Sequence, residues 1–571
     1  MPVHNAAIAD VFDEIADLLE LTNGNPFRVR AYRRAAQTVR GQSKELWEDV
    51  SAGRALKHLP GIGADLAGKI VEIVTTRTCA LLTQLRGRVA PGQVELLRLP
   101  GLGPKRVREL KLRHRITTPA QLRAAIAAGR AVGVPGAKTA TGGRLAAALE
   151  HRGAPQRMLR SVAAPIASAL VERLKGVTGV EQAIIGGSFR RGRETVGDLD
   201  LLVSSTDAAP AVAAFCTFDE VSDVVARGRT KAAVVLANGL AVDLRVVPPE
   251  GFGAALHYFT GNKSHNIRIR QLARRAGLKL NEYGLFRGAH RVGGRTEEEV
   301  FAAVGLPWIP PELREDRGEI EAARAGTLPT LVERSDLRGD LHVHTDWSDG
   351  SASLAGMVSA ARRAGLSYVG IADHSRYLGA THGLDGEALA RQADAIDALE
   401  VRGITVLKGA EVDILEDGSL ALPDSALQRL DYVIGAVHSA FQLSERRQTD
   451  RMLRALDHPR LTILAHPRGR LINERPEMAF DLAAVLTRAA ERNACVELNC
   501  QPSRLDLDDV GCTLAREHGV RVAVDSDAHG EDGFAWLEPG LLQARRAGLT
   551  AADVLNTLPL AKLRSVLALK R

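Results

Sequence analysis

Across residues 335–571, short apolar runs alternate with helical stretches, and six of the runs lead into a histidine or an acidic residue. The runs are DLHVH, GIADH, GAEVD, GAVH, ILAH and VDSDAH. Strands that alternate with helices form parallel sheets, and in a closed α/β barrel the carboxyl ends of the strands meet at one mouth. The pattern therefore predicts a C-terminal α/β barrel with a polar cluster at its mouth.

Nine side chains of metal-ligand type are predicted to converge at that mouth. They are His342, His344, Asp349, His374, Glu411, His438, His466, Asp527 and His529. A lone histidine is usually structural, but six histidines that follow apolar runs and mix with acids favour a metal site. Nitrogen and oxygen ligands together suit Mn²⁺, Zn²⁺ or Fe, and the sequence leaves that choice open.

Length and charge divide the chain. Its 571 residues exceed the roughly 250 to 300 residues at which single cores stop growing, so several domains are expected. Residues 1–334 hold 48 Lys and Arg against 34 Asp and Glu, a net of +14, whereas residues 335–571 hold 27 against 34, a net of −7. The basic part suits phosphate contacts and the acidic part suits cations. Charge alone leaves open the alternative that both are merely solvated surface.

The strongest motif of the first half is GSFRRGRETVGDLDLLV at 187–203, which VDLRVV follows at 242–247. Asp198 and Asp200 are two apart on a predicted strand and so face the same side. Asp243 on a nearby strand completes a cluster of three carboxylates. Such a cluster can hold two Mg²⁺ or Mn²⁺ ions for phosphoryl transfer to a 3′-hydroxyl. The alternative is a strand whose acids are simply exposed.

The turn that opens this motif is predicted to face nucleotide phosphates. Gly187 and Ser188 form a short glycine-containing turn, where backbone N–H groups can reach phosphate oxygens. Arg191 can add positive charge beside them.

Residues 1–155 read as helices, and they contain two similar segments, LPGIGADLAGKI at 59–70 and LPGLGPKRVREL at 99–110. A Gly-hydrophobic-Gly turn between two helices presents successive N–H groups to a phosphate. Both segments resemble helix-hairpin-helix motifs, which hold the DNA backbone without reading its sequence. A third candidate at 132–145 is degenerate.

These motifs together resemble the family X DNA polymerases. HYFTGNKSHNIRIR at 257–270 and LKLNEYGLF at 278–286 are similar to the thumb of that family, and the GDLD string is similar to its nucleotidyltransferase palm. The resemblance covers about 1–315. It implies template-directed DNA synthesis that fills gaps in DNA repair, including base excision repair.

The same resemblance implies roles for thumb residues. Tyr258 and Phe259 would line the sugar pocket of the incoming nucleotide, and Gly261 would belong to the same nucleotide-binding set. Asn266 would touch the minor groove of that nucleotide, and Arg270 would contact the template base.

Residues 335–571 resemble the polymerase and histidinol phosphatase (PHP) domain, a (β/α)7-like barrel, and imply a metal-dependent 3′–5′ exonuclease. The resemblance implies up to three metals, with Glu411 bridging two of them. The first metal would take His342, His344 and Asp527, the second His438 and His466, and the third Asp349, His374 and His529. Arg468 would steady a phosphate, with a surface role as the alternative.

The expected fold is therefore multidomain, with helical modules, an α+β palm and thumb, and the barrel. The predicted boundaries are 1–85 for a lyase-like helical domain, 86–155 for fingers, 156–250 for the palm, 251–315 for the thumb, 316–334 for a linker and 335–571 for the PHP domain.

Lys69, in the first hairpin segment, matches the lysine of family members that act as deoxyribose-phosphate lyases through a Schiff base. Asp65 departs from the basic residue usual at its position in those members. A solvated lysine is the alternative.

Two other functions compete with a polymerase that carries an exonuclease. A PHP small-molecule phosphatase fused to a DNA-binding scaffold would leave residues 1–334 without a catalytic purpose, and an inactive scaffold conflicts with two complete ligand sets. Gapped or primer-template DNA and dNTPs are the expected partners, and the chain is expected to be a monomer. Lacking an apolar run of roughly 18 residues, it is expected to be cytoplasmic, associated with the nucleoid and free of membranes.

Overall fold

The computed structural model describes residues 5–127, with gaps at 23, 41, 43–45, 57–58, 60, 98–101 and 103, and residues 157–376 and 382–568. No helix within these ranges is both long and apolar enough to span a bilayer. The degenerate hairpin candidate at 132–145 and the PG-G turn of the second hairpin segment lie outside the described residues.

The N-terminal region is helical. Its helices are α1 (Asn5–Leu21), α2 (Pro26–Arg40), α3 (Leu46–Ser51), α4 (Ala64–Thr76), α5 (Ala80–Arg86), α6 (Pro91–Leu97), α7 (Pro104–His114) and α8 (Pro119–Ala127). Apolar residues at helical spacing in α1 face inward, and Phe12 packs edge-on against Tyr32 with ring centroids 5.7 Å apart. One hydrophobic cluster runs from Ile8 to Leu122. The two predicted helical modules therefore share a core.

The palm is a five-stranded sheet in the order β2-β4-β7-β6-β5. Its elements, with the short β1–β3 pair, are β1 (Met158–Leu159), α9 (Arg160–Lys175), β2 (Val180–Ile185), α10 (Gly187–Arg190), β3 (Thr195–Val196), β4 (Asp198–Ser205), α11 (Ala208–Phe215), β5 (Val221–Arg227), β6 (Lys231–Leu236) and β7 (Ala241–Val247). Only β4 and β7 pair in parallel within this sheet. The strand β2 ends at Ile185, and Gly187 then turns the chain with φ +61°.

The thumb joins helices to the three-stranded sheet β10-β9-β8. Its elements are α12 (Phe252–Thr260), α13 (Lys263–Arg275), β8 (Lys279–Asn281), β9 (Gly284–Arg287), β10 (His290–Gly293), α14 (Glu297–Ala302) and α15 (Glu319–Ala325). Asn262 caps α13 by accepting a hydrogen bond from the His265 backbone N–H at 2.8 Å. The predicted polar linker contains α15, and Ile320 and Ala323 pack into the thumb core beside Phe301. Their i, i+3 spacing on one helical face explains this burial.

The C-terminal region alternates strands and helices. They are β11 (Gly339–Val343), α16 (Leu354–Arg363), β12 (Tyr368–Ile371), α17 (Gly386–Asp397), β13 (Thr405–Lys408), β14 (Glu411–Asp413), α18 (Asp424–Leu427), β15 (Val433–Ala436), α19 (Glu445–Leu456), β16 (Leu461–Leu464), α20 (Leu482–Glu491), β17 (Cys495–Asn499), α21 (Asp509–Glu517), β18 (Val522–Asp525), α22 (Leu537–Arg546) and α23 (Leu560–Ala568). The paired strands are parallel throughout.

These strands close into a barrel. β13 pairs with β12 and β14 pairs with β15, and only residues 409–410 separate them, so the two short strands occupy one barrel position. A Cβ at Gly409 would collide with the Tyr432 ring, and glycine allows this close approach. β11 meets β18 where the His344 N–H donates to the Ala528 carbonyl at 2.9 Å. Seven strand positions result, which confirms the (β/α)7-like barrel.

The barrel contacts the palm directly. Arg470 pairs with Glu194 at 2.6 Å, and the Asn473 side chain donates to the Arg157 carbonyl at 2.7 Å. The helical region touches the thumb through a hydrogen bond from Ser264 Oγ to Gln37 Oε1 at 3.1 Å.

Candidate metal centres

Three carboxylates cluster where β4 and β7 run side by side. Asp200 stands opposite Asp243 in the parallel register, and Asp198 is two residues earlier on the same face. Burial, followed by the negative charges of Asp198 and Asp243, raises the pKa of Asp200 to about 7. Mg²⁺ and Mn²⁺ prefer oxygen ligands, and a bound cation would relieve the electrostatic repulsion between the three carboxylates. The residues present therefore fit divalent cations.

The glycine-containing turn approaches these carboxylates closely. Gly187 has φ +61°, and a Cβ at that position would collide with Oδ2 of Asp200. A side chain is therefore excluded both by backbone conformation and by space. Ser188 follows in the first turn of α10, so the turn is held beside the carboxylate cluster.

Eight of the nine polar residues at the barrel mouth form three overlapping groups, and His466 lies outside these groups but contacts Glu411. Within each group one potential ligand atom per residue lies within 4.8 Å of the others. The groups are His342, His344 and Asp527; His344, Asp349, His374 and His529; and His374, Glu411 and His438. Two histidines thus belong to two groups each, whereas the sequence-based assignment gave each histidine to one metal.

Glu411 lies at the centre of the cluster. Its Oε1 is 3.2 Å from His438 Nε2 and 2.9 Å from His466 Nε2. Its Oε2 is 2.7 Å from His374 Nδ1 and 3.5 Å from His342 Nε2. Burial would raise the pKa of Glu411, but the surrounding imidazoles lower it well below its usual value. The carboxylate is therefore ionised and placed to bridge two positions.

Several ring nitrogens at this mouth have unmet bonding capacity. His342 Nε2, His374 Nδ1 and both nitrogens of His344 are buried and form no aligned hydrogen bond among the described residues, although carboxylate oxygens of Glu411 and Asp527 lie nearby. Buried polar atoms rarely stay unpaired, so each such atom calls for an explanation. Mixed imidazole and carboxylate donors are suited to transition metals. The barrel residues therefore fit divalent metal ions.

Two carboxylates that the sequence analysis missed support the ligands from behind. Glu497 accepts from His342 Nδ1 at 2.6 Å and from the His466 N–H at 2.7 Å. Asp413 lies 3.0 Å from His438 Nδ1. Such outer contacts fix the ring orientation and tautomer of a metal-binding histidine. Asp413 could have been noticed two residues after Glu411, but Glu497 within β17 carries no comparable signal.

A third buried carboxylate shapes the loop that follows β11. Asp373 accepts from the Thr345 N–H at 2.8 Å, from the Thr345 hydroxyl at 2.6 Å and from Gln392 at 2.6 Å. These bonds hold the turn that carries Asp349, which lies 3.4 Å from His529 Nε2.

Comparison with known families accounts for both centres. The DNA polymerase beta palm model matches residues 157–264 and the DNA polymerase beta thumb model matches 255–315. A helix-hairpin-helix domain model matches 3–79, and the PHP domain model matches 340–501. The protein named DNA polymerase/3′-5′ exonuclease PolX of Bacillus subtilis is 35% identical over 561 residues, 97% of each chain. The chain belongs to the family X DNA polymerases that carry a PHP domain.

Other relatives match only part of this family X member. DNA polymerase lambda of Arabidopsis thaliana is 24% identical over 362 residues, 55% of this chain and 62% of that protein. A protein of Syntrophotalea carbinolica named probable phosphatase is 30% identical over 230 residues, 38% of this chain and 90% of that protein.

The thumb residues singled out by the family X resemblance lie together. The Asn266 side chain donates to the carbonyls of Tyr258 at 2.7 Å and Gly261 at 3.1 Å. The Arg270 guanidinium lies 5.9 Å from the centre of the Tyr258 ring, and the Tyr258 and Phe259 rings pack edge-on at 5.1 Å. A Cβ at Gly261 would collide with Asn266 Oδ1. Their contacts with a nucleotide stay a prediction.

Arg191 is engaged within the protein. Its Nε donates to Glu315 Oε1 at 3.0 Å and an Nη donates to the Thr260 carbonyl at 2.8 Å. Its side chain is largely buried. These bonds tie the palm turn to the thumb, and the predicted contact of Arg191 with phosphates is not part of this arrangement.

Lys69 is on α4, directly after the first hairpin turn, where Gly61 has φ +77°. Its ammonium donates to Asp65, one helical turn earlier. Burial would lower the pKa of Lys69, but the hydrogen bond that Lys69 donates to Asp65 raises it above its usual value. A Schiff-base lysine must be neutral, so this pairing opposes the lyase role.

Arg468 does not face the barrel ligands. Its guanidinium pairs with Glu477, and its backbone N–H donates to Asp506 at 3.2 Å. Arg504 lies closer to the cluster, with its Nε 4.0 Å from Asp527 Oδ2. That Nε atom has no hydrogen-bond partner in the described part of the chain. The sequence provides no pattern that singles out Arg504.

Proposed function

We propose that this chain is a template-directed DNA polymerase that fills gaps in DNA repair and carries a metal-dependent 3′–5′ exonuclease in its PHP barrel. The observation that carries the proposal is the presence of two separate metal-ligand clusters in one chain that aligns along nearly its whole length with PolX of Bacillus subtilis. Each cluster suits one of the two activities in that relative's name.

In the palm, Asp198, Asp200 and Asp243 would hold two Mg²⁺ or Mn²⁺ ions. When bound, such ions neutralise charge on the triphosphate and favour ionisation of the primer 3′-hydroxyl. The protein itself would position the triphosphate and the primer 3′-hydroxyl. The turn at Gly187 and Ser188 would present backbone N–H groups to the phosphates.

In the thumb, Tyr258, Phe259 and Gly261 would bound the sugar pocket. Asn266 donates to two backbone carbonyls, and from this fixed position it would touch the minor groove of the incoming nucleotide. Arg270, beside the Tyr258 ring, would contact the template base.

In the barrel, up to three divalent metals, Mn²⁺, Zn²⁺ or Fe, would occupy the nine-ligand cluster. When bound, they supply a nucleophile at neutral pH and neutralise the phosphate that is cleaved. Glu497 and Asp413 hold the imidazoles in place. Arg504 would approach the phosphodiester, because its Nε is near Asp527 and a guanidinium suits phosphate oxygens.

The partners in this proposal are gapped or primer-template DNA and dNTPs. The first helix-hairpin-helix segment would hold the DNA backbone, with Gly61 and Gly63 shaping its turn before α4. Deoxyribose-phosphate lyase activity through Lys69 would require release of Asp65. A monomer in the cytoplasm, associated with the nucleoid, completes the proposal.

One gel experiment tests both activities. A labelled primer on a short-gap template is incubated with Mg²⁺ or Mn²⁺, with and without dNTPs. We expect extension across the gap with dNTPs and shortening from the 3′ end without them. If folded, metal-loaded protein gave neither the extended nor the shortened product, the proposal would be contradicted.

The competing phosphatase function is separated by substrate. Hydrolysis of histidinol phosphate at a rate above that of DNA degradation would favour the phosphatase. The alignment of 97% of the chain with PolX, against 38% with the Syntrophotalea carbinolica protein, supports the polymerase.

A further inference from the structure

The outer helix α22 of the barrel contacts the palm turn beside the catalytic carboxylates. Gln543 Nε2 donates to the Gly192 carbonyl at 2.7 Å, and Arg546 Nη1 donates to the Arg191 carbonyl at 2.7 Å. Both carbonyls follow directly after α10, the short helix that begins at Gly187. The barrel therefore binds the far side of the turn whose near side faces Asp200.

The palm backbone packs against α22 at Gly192. This residue has φ +70°, and a Cβ there would lie 3.4 Å from Leu542 Cβ and 3.5 Å from Arg546 Cδ. Glycine accepts the positive φ without strain. The turn is thus packed onto the helix as well as hydrogen-bonded to it.

Arg546 also connects three domains electrostatically. Its guanidinium donates to Glu315 of the thumb end at 3.0 Å and to Asp509 of α21 at 2.7 Å. Glu315 in turn accepts from Arg191 of the palm, and Asp509 accepts from Arg317 at 2.9 Å. The Arg546 side chain is only 1% exposed.

The charges in this network are mutually satisfied. Burial would raise the pKa of Glu315, but Arg546 and Arg191 lower it well below its usual value. Burial would likewise lower the pKa of Arg546, but Asp509 and Glu315 raise it. Buried charges held by hydrogen bonds fix one geometry, because any other arrangement leaves a charge unpaired.

We propose that Arg546 and Gln543 of the PHP barrel are positioning residues of the polymerase site, which hold the turn at residues 187–192 in the conformation that binds the incoming dNTP. They act through the backbone of Arg191 and Gly192, without touching the nucleotide. The inference rests on the proposed polymerase function. It makes the barrel a structural part of nucleotide binding, separate from its own nuclease chemistry.

The test is steady-state kinetics of the full chain on a short-gap template, with dNTP varied. Arg546→Met keeps the bulk of the side chain and leaves Glu315 paired with Arg191 and Asp509 paired with Arg317. We expect its KM for dNTP to rise roughly tenfold, the effect of losing the charged hydrogen bond from Arg546 to the Arg191 carbonyl. Its kcat should stay within about a factor of two of that of the unsubstituted protein. Arg546→Lys retains a cationic donor, so its KM for dNTP should lie between that of the unsubstituted protein and that of Arg546→Met.

Arg545→Met is the matched control. Arg545 is the neighbour of Arg546 on α22 and pairs with Glu312 at 2.8 Å, but among the described residues it forms no hydrogen bond or ion pair with residues 187–192. Arg545→Met disturbs the same domain interface, so its thermal stability should fall about as much as that of Arg546→Met. Its KM for dNTP should equal that of the unsubstituted protein.

Gln543→Leu replaces Arg546→Met as the test variant if Arg546→Met does not fold. The Gln543→Leu substitution removes one neutral hydrogen bond and no charge. We expect about a threefold rise in KM for dNTP. An unchanged KM in the folded variants would overturn the inference, and so would an equal rise in Arg545→Met, which would indicate general loosening. Absence of extension by the unsubstituted protein would instead count against the polymerase function.

Discussion

In the palm, three carboxylates lie on the inner strands β4 and β7 of an open sheet, whereas nine candidate ligands gather in the closed mouth of the barrel. Asp198 and Asp243 are exposed, while His342 and His344 are fully buried. The palm offers only carboxylate oxygens, so substrate phosphates and water would have to complete the coordination of any cations that it binds. The barrel supplies nearly all the ligands itself. The first centre should therefore assemble with substrate, and the second should exist before substrate arrives.

The largest effect is expected at the palm. Asp200→Ala removes the carboxylate between Asp198 and Asp243, and we expect primer extension to fall by about a thousandfold or more because the cations lose their shared ligand. Gapped-primer extension measures this. DNA degradation without dNTPs should stay near that of the unsubstituted protein. Asp223→Ala, on the exposed strand β5 of the same sheet, is the control, and loss of degradation in Asp200→Ala would break the separation of the two centres.

His344→Ala should produce the reverse pattern. His344 belongs to two of the three ligand groups, so its loss should reduce 3′ degradation by roughly a thousandfold and leave extension intact. The same gel without dNTPs reports it. His458→Ala offers a matched control, because His458 lies in the same domain but pairs with Asp424 outside the cluster. Degradation that persists in His344→Ala would mean that the nuclease does not use this mouth.

A smaller effect should follow loss of a supporting contact. Glu497→Gln keeps the shape of the side chain but removes the charge that faces His342 Nδ1, and we expect barrel metal affinity to fall about 10- to 100-fold. Metal content after dialysis against graded chelator measures it. Primer extension in Mg²⁺ should not change. Equal metal retention by the variant and the unsubstituted protein would show that Glu497 does not tune the ligands.

The smallest expected difference is kinetic. On addition of chelator to the metal-loaded full chain, extension should stop at once, and degradation should decline several-fold more slowly because the barrel ligands are buried. Samples quenched over time report both rates. If the two activities were lost at the same rate, the palm and the barrel would not differ in how much of the metal coordination the protein itself supplies.

Local patterns predicted much of both centres. The i, i+2 spacing of Asp198 and Asp200 on a strand and the histidines after apolar runs depend on short-range geometry, which sequence displays. The family resemblance supplied the thumb. The grouping of the barrel ligands was harder to predict, because His344 and His374 each lie between two groups, and only the packed barrel shows this.

Contacts between residues far apart in the chain could not be predicted. The bond from Glu497 to His342 joins residues on β17 and β11, and nothing in either strand marks the pair. The segment around α15 looked polar because its charged residues dominate its composition, yet Ile320 and Ala323 are buried. Arg317 in that segment is part of an ion-pair network with the barrel.

The contacts of α22 bear on how such a protein can change over evolutionary time. Arg546 and Gln543 match particular backbone carbonyls of the palm, and Arg546 also matches Glu315 of the thumb. A barrel transplanted from another protein would bring its own nuclease site intact but would present an unmatched surface to the Gly192 turn. Recombination at residues 316–334 would thus separate partners that had been selected together. The two catalytic halves are expected to be inherited as one unit, and chimeras to require exchange of α22 along with the palm.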